Sequence, residues 1–216
     1  DLRSPMGSIK MVLNMLMLNL PVEKIGGEMY ELLTMANRTT EDVFSLLDNL
    51  LKWTKSQIGN LNVVYQDVDA VEVVDSVIDV FNMVAGLKKI TIREEKPEKL
   101  PVCTDIDMLK TIIRNLLSNA IKFSNENSEV LVKMEEQGDT VVVSVKDSGC
   151  GIDEEGQKKL LHTDTHFSTF GTNNEEGSGL GLLLCQDFAV KSGGKLWFTS
   201  KKGEGSTFYF SIPLKK

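Results

Sequence analysis

The chain has 216 residues, 41% hydrophobic and 25% charged, a balance that supports a buried core and excludes a disordered polypeptide. Its net charge of −7 argues against a binder of duplex nucleic acid, which needs a basic face, so any bound nucleotide should be a small ligand. Cys103, Cys150 and Cys185 stand far apart without C-x-x-C spacing, which indicates neither a disulfide framework nor a zinc site and fits a reducing compartment.

Leu2, Met6, Ile9, Leu13, Leu16 and Leu20 alternate steps of four and three, the seam of a helix that packs on other helices. Pro5 lies within the first turn of that helix or kinks one that began earlier. The apolar run from Met11 to Leu20 is broken by Asn14 and Asn19 and is too short to span a bilayer, so no membrane contact is expected here. Beyond Pro21 and Gly26-Gly27, the residues Met29, Leu32, Ala36, Val43, Leu46, Leu50 and Trp53 continue a helical spacing to about Gln57. A second row at Leu33, Met35 and Leu47 widens that face beyond what one partner helix covers. The expectation is an antiparallel helical hairpin that forms a four-helix bundle in a homodimer.

The pattern lapses around Gly59-Asn60, which sets the expected boundary between a domain 1–60 and a domain 61–216. Asp69 with Glu72 resembles a capping box ahead of a helix ending near Gly86, and 90–92 and 102–104 read as strands. Asp107 is the expected cap of the next helix. Strands at 130–134 and 141–145 flank Gln137-Gly138-Asp139 as a hairpin. A short helix is expected near 154–161, then a polar stretch from His162 to Glu176, a helix to about Lys191, and two strands around 195–200 and 206–213. His162 and His166 have a spacing that suits a metal site, but no third ligand is near and a solvated loop is expected.

Chemistry gathers on Asn115-Leu116-Leu117-Ser118-Asn119-Ala120-Ile121-Lys122-Phe123. Asn115 and Asn119 share one face of a helix one turn apart, a polar stripe in an apolar stretch. Buried carboxamides need partners, which neighbouring loops or a hydrated divalent cation and a polyphosphate could supply. Asp147-x-Gly149-x-Gly151 ends a strand, either as a plain turn or as a carboxylate that accepts a bond from an exocyclic amine such as that of adenine. Gly177-x-Gly179-x-Gly181 with Leu180 precedes a helix whose first amides could receive phosphate oxygens, although a loop that only needs to turn would read alike. It is neither the dinucleotide fingerprint nor a Walker loop. Gly203-Glu204-Gly205-Ser206 is a hairpin turn.

In this order the stretches resemble the catalytic half of sensor histidine kinases, with their N box (N-x-x-x-N-A-x-K-F), first glycine box (147–151), second (177–182) and third (203–206). The helical hairpin resembles the family's dimerisation and phosphotransfer domain. Asp1-Leu2-Arg3-Ser4-Pro5 looks like the family's H box without its histidine, so the phosphoacceptor is expected just before Asp1. The resemblance implies an α+β chain: the hairpin, then an α/β sandwich of the type shared by histidine kinases, gyrase and heat-shock chaperones. It implies ATP and Mg2+ as cofactors, with Asn119 on magnesium, Asn115 supporting it, Lys122 on the phosphates and Phe123 on the base or ribose. Asp147 would bind the adenine amine, with Gly149 and Gly151 beside it, and Gly177, Gly179, Leu180 and Gly181 would hold phosphate. Residues 162–176 would be the lid.

Asp1 would act as a base on the acceptor imidazole. The related ATPases carry a water-activating glutamate where this chain has Asn115, so futile hydrolysis should be slow. The implied function is the cytoplasmic kinase core of a two-component sensor, which phosphorylates its own histidine and passes the group to an aspartate on a response-regulator receiver domain. A degenerate kinase that serves as a nucleotide-binding dimer module is the alternative.

Overall fold

The computed structural model describes residues 3–20, 26–57, 62–160, 171–172 and 179–214. The chain divides into two compact units, Asp1–Asn60 and Leu61–Lys216.

The first unit holds α1 (Arg3–Asn19) and α2 (Gly27–Gln57), which pack against each other. The Lys10 ammonium lies 5.9 Å from the centre of the Phe44 ring. Thr34, Thr39 and Thr40 turn their hydroxyls back onto the carbonyls of Tyr30, Met35 and Ala36, so these polar groups are met inside the helix. Ile9, Val12, Met15 and Leu16 on α1 and Met29, Leu32, Met35 and Val43 on α2 remain exposed. That is far more apolar surface than a two-helix unit should leave to water.

The second unit opens on a small antiparallel sheet, β1 (Gln66–Asp69) with β3 (Pro101–Thr104). A mixed five-stranded sheet follows in the order β2 (Thr91–Glu95), β4 (Glu129–Gln137), β5 (Thr140–Lys146), β7 (Gly205–Pro213), β6 (Leu196–Lys201). Only β2 runs parallel to its neighbour β4; the other pairs are antiparallel. The β4–β5 turn passes through Gly138, whose φ of +62° supplies the left-handed residue that a tight hairpin needs.

Register explains which sheet face is apolar. Val132, Val145 and Phe208 pair in one row, and Met134, Val143, Phe210 and Leu196 in the next. All seven are buried, whereas alternate positions such as Lys133, Ser144 and Tyr209 are partly exposed. Onto the apolar face pack α3 (Ala70–Leu87), α4 (Ile106–Phe123) and α6 (Gly181–Lys191), with α5 (Glu154–Lys159) a single short turn. Helix α4 is the centre of that layer: Leu109, Ile112, Ile113, Leu116 and Leu117 are each at most 1% exposed. Each such side chain contributes about 1.5–3 kcal/mol of burial, so α4 is fixed by its apolar side and its polar stripe is carried along.

The caps differ from the expectation in two places. Asp69 does cap α3, but its Oδ1 accepts from Val71 N at 3.0 Å and Leu100 N at 2.9 Å, tying the helix start to the β3 approach. Helix α4 is capped by Asp105, not Asp107. Asp105 Oδ1 accepts from Asp107 N and Met108 N, and its Oδ2 takes Val64 N at 2.9 Å. Asp107 falls in the first turn, where a carboxylate still suits the positive helix end.

Candidate functional site

The polar stripe of α4 faces the start of α6. Asn115 and Asn119 are both half-buried, and Asn115 Nδ2 donates to the Thr111 carbonyl at 2.9 Å, one turn back. Its Oδ1 lies so close to Gly181 that a Cβ there would approach to 2.7 Å. Helix α6 begins at Gly181 itself, with Leu180 as N-cap and no capping side-chain bond from it. Gly179 has φ of +68°, the left-handed turn that brings the chain into the helix. Helix starts of this kind offer backbone N–H groups to anions.

The other end of α4 meets the Asp147 turn. The Phe123 carbonyl accepts from Cys150 N at 3.3 Å, and a Cβ on Gly149 would come within 2.1 Å of that same oxygen. Gly149 is therefore required by close backbone approach and not merely by turn geometry. Gly151, with φ of +61°, lies equally close to the Lys201 carbonyl. Cys150 completes the seam by accepting from Gly203 N at 2.7 Å. The first and third glycine stretches are thus stitched together along one edge of the sheet.

Asp147 stands at the middle of this seam, 4% exposed. Its Oδ1 accepts from Gly149 N at 2.9 Å and Ser206 N at 3.2 Å. Both of these bonds fall on Oδ1, so that oxygen is anchored while Oδ2 can accept a further bond. Burial pushes the Asp147 carboxyl above its ordinary value, against the opposing pull of the Gly149 and Ser206 amides. Ser206 enters this arrangement through its backbone, and Gly205 just before it, with φ of +99°, allows the chain to pass the Asp147 carbonyl.

Lys122 and Phe123 complete the helix end, with the Lys122 ammonium 4.9 Å from the Phe123 ring centre. The structure therefore brings Asn115 to Gly181 and Phe123 to Gly149, Cys150 and Asp147, and it sets Asn119 one turn along the same helix. Asp1, His162, His166 and Gly177 lie outside the described residues, as do Leu2 of the expected H box and all of the expected lid except Gly171 and Thr172. Two contributors stand outside the motifs, Asp105 as the cap of α4 and Lys88, which reaches the end of α4 from 34 residues away, while Ser206 of the third glycine stretch contributes through its backbone amide.

Asparagines on a core helix, an anchored strand-end carboxylate and a glycine-opened helix start, all on one side of a mixed sheet, define a nucleotide-binding α/β sandwich. The sequence profile of histidine kinase-, DNA gyrase B- and HSP90-like ATPases matches residues 104–216, and the chain belongs to that family. Its relatives are sensor kinases. It is 29% identical to the adaptive-response sensory kinase SasA of Crocosphaera subtropica over 99% of this chain and 57% of that one. The SasA of Rippkaea orientalis is 30% identical over 78% of this chain and 43% of its own length. The chain thus spans about half the length of the curated relatives it matches. Among solved structures, the catalytic domain of histidine kinase ThkA superimposes with a TM-score of 0.60 at 29% identity, covering 70% of this chain and 97% of that domain. No described helix is long and apolar enough to cross a membrane.

Proposed function

We propose that the chain is the kinase core of a two-component sensor histidine kinase, which binds Mg-ATP in the unit from Leu61 and transfers the γ-phosphoryl group to a histidine expected just before Asp1. The observation that carries this reading is the split carboxylate of Asp147. Backbone amides hold Oδ1, and Oδ2 is left to accept the amine of adenine. A guanine, which presents a carbonyl at that position, would meet a carboxylate with no proton to give.

The cradles that glycine leaves open fit the rest of a nucleotide. Gly149 backs onto the Phe123 carbonyl with no room for a Cβ, and Gly181 backs onto Asn115 Oδ1, which a Cβ would displace. Phe123 offers an aromatic face to base or ribose, Lys122 a cation to the phosphates, and Gly177, Gly179, Leu180 and Gly181 the backbone of the α6 start. Gly151 keeps the seam beside Asp147 open. Asn119 would hold magnesium and Asn115 would support it; a bound magnesium would neutralise charge that develops on the transferring phosphoryl group. Asn115 is a carboxamide and cannot take a proton from water at neutral pH, which favours transfer over hydrolysis. Asp1 would polarise the acceptor imidazole.

The first unit supplies the dimer in this reading. The exposed apolar residues of α1 and α2 match what two helical hairpins would bury as a four-helix bundle, and the same unit would present the phosphohistidine to the aspartate of a response-regulator receiver domain. Neither nucleic acid nor a membrane is a partner of this region, and the site belongs to the cytoplasm, where ATP is. Calorimetric titration with ATP and GTP, with and without magnesium, tests the site. ATP should bind, magnesium should strengthen it, and GTP should bind far more weakly; equal affinity for both bases would contradict the role of Asp147.

A further inference from the structure

Lys88 follows the last residue of α3 and is only 7% exposed. A buried ammonium is costly unless its protons meet acceptors. Lys88 Nζ donates to the carbonyls of Ile121 at 3.0 Å and Lys122 at 2.9 Å, and to the hydroxyl of Thr172. Both carbonyls belong to the last turn of α4, the negative end of that helix.

Thr172 is bound to the same place. Its N–H donates to the Lys122 carbonyl at 3.1 Å, so that oxygen receives Lys88 and Thr172 together and both of its lone pairs are used. The single hydroxyl proton of Thr172 has the Ser124 carbonyl at 2.8 Å as its shorter option. Three segments far apart in sequence therefore meet on one carbonyl: the α3–β2 junction, the end of α4, and the stretch between α5 and α6. That carbonyl belongs to Lys122, with Phe123 next to it.

We infer that Lys88 is a positioning residue for the nucleotide: its ammonium, joined with Thr172, fixes the last turn of α4 and so sets where Lys122 and Phe123 present their side chains. The inference rests on the nucleotide reading of the site. Lys88 itself touches no reacting atom. A purely structural role would lower thermal stability and leave the affinity of the folded protein unchanged, whereas a positioning role moves affinity.

The test is calorimetric titration with ADP of the parent chain, Lys88→Met, Thr172→Val, the pair, and Lys88→Arg, beside their melting temperatures. Each single loss should weaken ADP binding about tenfold, because a hydrogen bond to a charged group is removed from the helix end. The pair should be no weaker than the worse single variant, since both act through one carbonyl. Lys88→Arg, which keeps a cationic donor, should recover part of the loss. Thr172 is exposed, so Thr172→Val stays folded and keeps the test decisive even if Lys88→Met does not. Parent-like affinity in Thr172→Val, or losses that multiply in the pair, would overturn the inference. A parent chain that binds no ADP would instead overturn the nucleotide reading itself.

Discussion

A Cβ on Gly181 would stand 2.7 Å from Asn115 Oδ1, so the first residue of α6 and the asparagine of α4 occupy one shared space. Alanine is worth about 1 kcal/mol over glycine inside a helix. The atom in its way is the far end of a side chain, which can swing aside. Gly181→Ala should therefore leave the melting temperature near the parent's while displacing Asn115 and weakening Mg-ATP binding. Unchanged affinity by calorimetry would show that Asn115 does not need its present position.

The two ends of α4 respond differently to added bulk. On Gly149 a Cβ would meet the Phe123 backbone carbonyl at 2.1 Å, and backbone cannot swing aside. Gly149→Ala should cost about 2 kcal/mol or more of folding stability. Gly138, with φ of +62° and nothing within 4 Å, isolates the conformational part, and Gly138→Ala should cost about 1 kcal/mol. Urea unfolding of both variants checks the ordering; an equal loss would mean that the Phe123 contact is not a constraint.

Asp147 gives a prediction in pH. Folding raises its pKa, so the native state keeps the proton to higher pH than the unfolded chain does. Its contribution to stability accordingly falls as pH rises from the ordinary carboxylate value through the raised one. Asp147→Asn retains the acceptor for Gly149 and Ser206 and removes the buried charge. At neutral pH the variant should be at least as stable as the parent, with the gap closing on acidification. It should also bind ATP roughly 10- to 100-fold more weakly, because the acceptor for the base amine is gone. Denaturation at several pH values, paired with titration, would reveal a variant that loses stability instead.

Asn119 is half-buried on α4 and has no part in the helix core. Asn119→Ala should keep the fold and abolish the magnesium-dependent part of ATP binding. Titration with and without magnesium reads this directly, and an intact magnesium effect would move the metal elsewhere.

Much of the α/β unit could be read from pattern, because the long strand β4 alternates, β5 and β7 alternate over part of their length, and α3, α4 and α5 each start on an aspartate cap. The missing pieces are those where sequence offers no local choice. Asp105 and Asp107 are equal candidates on paper; what separates them is that Asp105 also holds Val64 N, a contact 41 residues away. Strand β1, Gln66-Asp67-Val68-Asp69, has one apolar residue and shows no alternation, and it exists because β3 pairs with it. Lys88 and Lys89 look alike as surface lysines. Lys89 takes the left-handed turn with φ of 55° while Lys88 turns inward to α4, and only the packed helix end distinguishes them. In the site, the side chains that would touch the nucleotide stand in recognisable motifs, whereas the groups that hold them in place (Ser206 N, Thr172 and Lys88) act through backbone atoms or across long separations.

The central claim is phosphoryl transfer to histidine, and its most direct test is incubation of a chain extended upstream through the H box with γ-labelled ATP and magnesium. The label should enter the protein as an acid-labile, base-stable phosphoramidate, be lost when the residue before Asp1 is replaced, and pass to a receiver-domain aspartate. Rapid release of labelled phosphate with none retained on the protein would contradict the account and make the chain an ATPase.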